Sequence, residues 1–472
     1  MESHEEDDDY LKELLDRFER SLEREGSAFF DSDEMEDIIF HYFNKPDLAN
    51  AKKAIDQAIK HFPLDINFQI FKAQYLLNKG KSENALKHLN FLNDTHPDNP
   101  DVMLTRASVL SNLNRHEEAI AEMLKSITLV DEGKDDILTN IAYEYQILNN
   151  FPKAVEYFQK ALKNNGDHEN LLYELGFCYE LGQLNEEAVA FFSSEVDKDP
   201  YSYIAWFNLG IAYNNLELYE KAIDSFDYVI AIEPEFLSAY FSKAQTYEQM
   251  EMHQFAINVY KQALEFDKTD SMTYYYIGDC YANLEKFELA IEYYRKSINI
   301  ERNFANAWLG LGMCFAETGN HTEALAHIKE AIKLDPEEGE FYIVLAETQL
   351  ALLLVADAIR SYKKAAEIDP YHPELWLGYS DIYARFKKDY KKALELIEDG
   401  LFYQLDSSEL MYRRVAYLLE SGQHKEALRE LYIALAIDFD SHDQLFEYSE
   451  KAKNSPQILM AIESFKNQDY PL

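Results

Sequence analysis

The sequence predicts an all-α chain built as an array of tandem helix pairs, and three observations predict it. The three tryptophans, Trp206, Trp308 and Trp376, are spaced by 102 and 68 residues, both multiples of 34. A small residue recurs in one register, as Ala51, Ala85, Ala119, Ala154, Ala188, Ala222, Ala256, Ala290, Ala324, Ala358, Ala393 and Ala427. Between these markers, apolar residues fall twice per period at the spacing of one helix face. Self-similarity at a fixed period of this length means one supersecondary unit used over and over.

The elements follow in chain order. Leu11, Leu14, Leu15, Phe18 and Leu22 form one apolar stripe, an amphipathic helix able to cover the exposed face of a first unit. Units then begin at Ser32, Ile66, Pro100, Asp135, Glu169, Tyr203, Leu237, Ser271, Ala305, Gly339, Pro373 and Ser408. The units starting at Pro100 and Pro373 each carry one extra residue. In the unit at Tyr203, Trp206, Leu209, Gly210 and Tyr213 lie at i, i+3, i+4 and i+7, one face of a first helix. Ala222, Phe226, Val229 and Ile230 make the matching face of a second.

Gly210 and Ala222 let the two helices approach closely, and Phe226 fills the space beside them. Pro234 lacks a backbone donor and stops the second helix, as do Pro63, Pro97, Pro200, Pro336 and Pro370 in other units. Met35 and Gln69 stand where an aromatic is preferred, and Lys72, Arg106, Lys243 and Arg414 replace the apolar seventh residue. The early helices are therefore expected to pack less well. "DQLFEYSEKA" and "QILMAIESFK" read as two closing helices, with Ser455 and Pro456 as N-cap and first residue of the last.

This order of Trp, Leu-Gly, Tyr, Ala, Phe and Pro over 34 residues resembles the tetratricopeptide repeat family. The resemblance implies a right-handed superhelical α-solenoid whose first helices line the inner, concave surface. The expected organisation is an acidic tail and N-terminal capping helix over 1–31, twelve repeats over 32–441, and C-terminal capping helices over 442–472.

Of 472 residues, 45 are basic and 86 acidic, a formal charge of −41. That field repels phosphate backbones, so nucleic acid is not an expected partner, whereas basic proteins and peptides are. The start "MESHEEDDD" has neither cationic region nor apolar run, and so is not read as a signal peptide. The run Leu350–Ala356 is too short to cross a bilayer. No membrane association and a cytoplasmic location are expected.

Catalytic constellations are nearly absent, and no enzyme activity or cofactor is expected. Gly80-Lys81-Ser82 has Tyr75 where a phosphate-binding loop needs its first glycine, and "HEEAI" at His116 lacks the second histidine of a zinc-protease helix. Cys178, Cys280 and Cys314 share the tenth position of their repeats, a small packing slot, and no metal-ligand spacing occurs. The family's carboxylate clamp for chaperone tails uses Lys at the fifth residue and Asn at the ninth. This chain has neither in any repeat.

The candidate binding surface comes from the fifth and ninth residues of the first helices, which lie one turn apart and away from the packed stripe. Fifth residues include Tyr173, Phe207, Phe241, Tyr275, Leu309 and Ile343, and ninth residues include Phe177, Ile211, Asp279, Met313, Glu347 and Asp381. Such a ladder either packs neighbouring repeats or grips an extended or helical segment with apolar anchors and basic flanks. Leu353 and Leu354, at turn positions held by Glu285 and Lys286 in an earlier unit, suggest a docking or dimer contact. The basic cluster Arg385, Lys387, Lys388, Lys391 and Lys392 reads as a solvated face or a site for the acidic tail of the same or another copy. The expected function is a non-enzymatic interaction scaffold. The alternative is a ligand- or peptide-responsive sensor whose superhelix changes pitch. Oligomeric state and partner identity do not follow from the sequence.

Overall fold

The computed structural model describes residues 2–23, 28–45, 47–164 and 168–466. Met1 of the acidic tail and residues 467–472 of the C-terminal segment lie outside them. Among the described residues every regular element is helical, and the helices form consecutive antiparallel pairs. The chain divides into two compact units, Met1–Glu233 and Pro234–Leu472.

First helices begin at Ser32, Ile66, Pro100, Tyr203, Leu237, Ser271, Ala305, Gly339 and Ser408, the residues the 34-residue frame selects. The remaining three start at Lys134, His168 and Leu375, one residue early, one early and two late. Second helices end two residues before each repeat-terminating proline, as Tyr219–Ile232 does before Pro234 and Val355–Ile368 before Pro370.

Close approach within a pair rests on the small eighth residue facing a bulky twenty-fourth. A Cβ placed on Gly210 would meet the Phe226 ring at 2.6 Å, and one on Gly278 would meet Tyr294 at 2.8 Å. Gly312 stands in the same relation to Ile328, at 2.7 Å. Phe226, Tyr260, Tyr294 and Tyr362 are almost wholly buried as a result. The fourth-residue aromatics have a second task. Trp206, Trp308 and Trp376 donate their indole N–H to the carbonyls of Pro200, Arg302 and Pro370 at 2.8–2.9 Å, each six residues upstream. Tyr240 and Tyr342 do so with their hydroxyls to Pro234 and Pro336. These bonds fasten each incoming loop to the helix it feeds.

The charged seventh residues do not leave the packing open in two of the four units. Arg106 pairs with Glu122 at 2.8 Å, and Arg414 with Glu430 at 3.4 Å. In both, the seventh residue of the first helix meets the twenty-third of the second, so an ion pair stands where other repeats pack apolar groups. Glu122 is 5% exposed, and its partners satisfy it.

The two extra residues are absorbed differently. In the unit at Pro100 the second helix, His116–Ser126, is short, and the loop through Gly133 (φ +69°) takes up the insertion. In the unit at Pro373 the first helix continues as a π-helix over Ile382–Lys387, the usual outcome of one residue added to a helix. The Asp389 N–H accordingly reaches back six residues to the Tyr383 carbonyl, where the equivalent bond elsewhere spans five.

At the termini, Leu14 and Phe18 of the helix Glu2–Glu23 are buried against Met35, Ile38 and Ile39. The segment "DQLFEYSEKA", expected as one helix, is two, Gln444–Tyr448 and Glu450–Lys453. Ser449 divides them. Its extended backbone and its hydroxyl, which accepts from the Ala452 N–H and donates to Glu420 at 2.8 Å, start a new helix there.

Each turn from the Ile66 unit onward contains one left-handed residue closing a helix C-terminus. Glycine, Asn, Gln, Glu or Lys fills it except at Leu353 (φ +59°), which is 74% exposed. A Cβ in this region costs roughly 1 kcal/mol, partly offset by the freedom glycine has in the unfolded chain. Leu353→Gly is therefore expected to raise the thermal midpoint slightly and Leu353→Val to lower it, as followed by circular dichroism. Equal midpoints for both variants would show that the turn is not under backbone strain.

Candidate functional site

Within Met1–Glu233, Tyr173 and Phe177 stand one turn apart on the helix His168–Leu181 and are 61% and 45% exposed. Phe207 and Ile211 follow on Tyr203–Asn215 and are half-buried, Phe207 resting on the Phe226 ring at 5.9 Å. Two recesses open on first helices of this unit. One, of about 510 Å³, is lined by Phe40, Phe43, Phe71, Leu77 and Leu104. The other, of about 550 Å³, lies between Pro100–Asn112 and Lys134–Ile147 beside the loop that holds the extra residue. Asp101, Ser108, Glu132, Asp136, Asn140 and Glu144 line it. His116 is engaged at its edge, with Nδ1 2.7 Å from Glu144.

Within Pro234–Leu472, a recess of about 490 Å³ has Tyr275, Leu309, Met313 and Tyr294 among its walls, with Glu248, Asp279, Glu317 and Glu340. No Lys or Arg lines it. Asp279 is half-buried and accepts a hydrogen bond from the Tyr294 hydroxyl at 2.5 Å. Burial pushes its carboxyl up to about 6, against the opposing pull of the Tyr294 and Tyr275 phenols. Glu248 accepts from Tyr260 at 2.6 Å. Tyr275 is half-buried against Tyr294 and Phe304, and Phe241 against Tyr260. Met313, at 42%, and Glu347 are exposed.

Three expected contact residues are corrected by the structure. Leu309 and Ile343 are 6% and 2% exposed, because the fifth position in these two repeats is enclosed by neighbouring helices; they offer a partner almost no surface. Asp381 is held internally. Arg413 forms an ion pair with it, the Tyr417 hydroxyl donates to it at 2.5 Å, and Arg385 lies 3.3 Å away. Arg413 is itself buried, 3.5 Å from the centre of the Tyr448 ring. The turn pair Leu353 and Leu354 is exposed, at 74% and 40%.

Sequence reading missed Phe40, 61% exposed, although it is the ninth residue of the first unit and the repeat frame alone would have found it. It also missed Glu248 and Glu317, the twelfth and thirteenth residues of their units, which carry no signal until the helices are stacked. The cysteines are buried and unpaired, and burial pushes the Cys178 and Cys314 thiols up to about 12. Among the described residues no three His, Cys, Asp or Glu gather as a metal site, and no helix is long and apolar enough to cross a membrane.

Paired helices in a 34-residue register, with recesses on the first-helix faces, define a helical-repeat protein. Models described as tetratricopeptide repeat match residues 100–129, 139–203, 203–236, 237–270, 270–337 and 318–373. The chain belongs to the tetratricopeptide repeat family. No curated protein matches it. Among solved structures, yeast Tom70 aligns over 92% of this chain and 95% of its own, with 15% identity and a TM-score of 0.47. A tetratricopeptide repeat protein from Parabacteroides merdae covers 52% of this chain and 98% of its own, at 16% identity and 0.41. YrrB, described as a repeat protein with an unusual peptide-binding site, covers 39% and 95%, at 22% identity and 0.32. At these identities the likeness is one of fold.

The raised Asp279 carboxyl gives a signed expectation. The folded chain holds this proton up to about pH 6, whereas an ordinary aspartate releases it near 3.8. Folded stability contributed by this group is thus greatest below the ordinary value and falls as pH rises through that window. Asp279→Asn should flatten the pH dependence of the denaturation midpoint between about pH 4 and 6, by an amount on the order of 2 kcal/mol. An unchanged slope in the variant would refute the assignment.

Proposed function

We propose that this chain is a non-enzymatic adaptor that seats a segment of a partner protein, with apolar anchors and basic flanks, on its first-helix faces. Tetratricopeptide repeats bind proteins and peptides, and membership of that family supports a protein-interaction scaffold. The observation that favours a cationic, apolar segment is the recess around Asp279. Its walls combine aromatic and apolar side chains with Asn283 and Asn306, its charged groups are all acidic, and no cation of the chain lines it. A Lys or Arg entering there would find carboxylates already placed, while its apolar neighbours would cover Tyr275 and Met313. Tyr173, Phe177 and Phe207 supply a separate aromatic face in the other unit. In this reading residues 32–441 are the binding array and the segments 1–31 and 442–472 close its ends. Three buried, unpaired cysteines suit a reducing cytoplasm.

The sensor alternative draws on the recess beside the loop through Gly133, where the insertion shortens one helix and parts two first helices. A cationic ligand filling that gap would change the local stacking of repeats.

Panning a random peptide library against the chain tests the adaptor reading. Recovered peptides are expected to place Lys or Arg beside Leu, Phe or Trp, and to lose enrichment against a Met313→Ser, Glu317→Gln, Glu340→Gln variant. Recovery of acidic peptides, or undiminished recovery on the variant, would overturn it.

A further inference from the structure

The most unusual surface of this chain lies on its helix turns, away from the first-helix faces. In the unit at Gly339 the turn carries Leu353 and Leu354, 74% and 40% exposed. In the unit at Pro373 the π-helical turn carries Phe386, 47% exposed, among Arg385, Lys387, Lys388 and Lys391, all exposed. The π-helix packs on Val355–Ile368, the helix that Leu354 caps, so the two turns are neighbours. Every other left-handed turn position holds glycine or a polar residue, yet this patch puts a leucine there at a cost in backbone energy. Its cations are only partly used. Arg385 reaches Asp381 and Lys387 lies over the Tyr383 ring, while Lys388 and Lys391 have no carboxylate partner among the described residues.

We propose that these two turns dock the acidic N-terminal segment of a second copy of the chain. Charge complementarity selects that occupant. In a chain of net charge −41 this is the densest basic cluster, and the densest acidic run is Glu2–Asp9, with Glu2, Glu5, Glu6, Asp7, Asp8 and Asp9 in eight residues. Tyr10, 53% exposed, follows the run directly and matches the apolar component, Leu353, Leu354 and Phe386. The segment opens the helix Glu2–Glu23. A helix end can reach the patch without bringing two highly acidic bodies face to face, whereas a broad anionic membrane would meet the −41 field of the whole molecule. Because the two surfaces differ, the contact is head-to-tail, and it propagates into chains unless a ring closes.

Sedimentation velocity of the full chain over a concentration series tests this directly. At about 50 mM salt the mass is expected to rise with concentration, and the association to weaken about tenfold or more in about 0.5 M salt as the charges are screened. Lys387→Glu, Lys388→Glu and Lys391→Glu together should leave a monomer. Adding Glu5→Lys, Glu6→Lys, Asp7→Lys and Asp8→Lys to that chain should restore association. Leu353→Asn keeps the left-handed turn and the charge, and should weaken association by itself. Helicity by circular dichroism confirms that each variant is folded. A monomer at every concentration and salt, or no rescue by the double reversal, overturns the proposal. So does a salt-dependent change in sedimentation coefficient at constant monomer mass, which would place the contact inside one chain. Binding of wild type to phosphatidylserine vesicles without self-association would assign the patch to a membrane instead.

Discussion

The structure depends on one constraint: a pair of helices cannot hide its apolar faces from water without the next pair. The local expression of that constraint is the contact between the eighth and twenty-fourth residues. Where the eighth is glycine, as at Gly210 and Gly278, the partner ring sits where a Cβ would be. The helices are then close enough for the buried alanines of the second helix, Ala222 and Ala290 among them, to pack without voids. Repetition of this contact, rather than any one core, gives the array its continuity.

That constraint also explains what the sequence made legible. A residue that must fit between helices is fixed in size and spacing, so helix starts at Tyr203, Ser271 and Ala305 could be read directly from the tryptophans and alanines. What could not be read was the use of polar groups. Arg106 and Arg414 look like lapses in an apolar stripe, yet each has a glutamate in the corresponding place on the second helix. The pairing joins positions sixteen residues apart, and only the fold brings them together. Asp381 shows the reverse error. Its position matches Asp279, but Arg413 and Tyr417 from the next unit claim its carboxylate.

The candidate surface was legible as a register and illegible as an area. The fifth position holds an apolar or aromatic residue in most repeats, but burial ranges from 0% exposure at Tyr412 to 61% at Tyr173. The difference comes from how tightly neighbouring first helices close over that position, which depends on side chains in adjacent repeats. The ladder is thus divided between packing and display, and the sequence pattern does not record the division. Acidic groups make the distinction sharper. Asp279 keeps an elevated affinity for its proton because burial removes water from it by more than the hydrogen bonds of Tyr294 and Tyr275 compensate, while Glu317 and Glu340 at the same recess remain exposed.

The two inserted residues show how a repeat array acquires individuality without losing its period. An extra residue in a loop goes with a short helix before it, His116–Ser126, and a polar recess beside Gly133. An extra residue inside a helix turns the last part into a π-helix, as at Ile382–Lys387, where Ile382 and Ala384 stay buried while Arg385, Phe386 and Lys387 are exposed. The repeat frame resumes after each insertion, with first helices starting at Lys134 and Ser408, because each repeat needs only its neighbour's apolar face. Chemistry that packing forbids in the stacked faces can therefore collect at such places. In this chain the second insertion holds its densest basic cluster, beside a leucine that backbone energetics alone would have replaced with glycine.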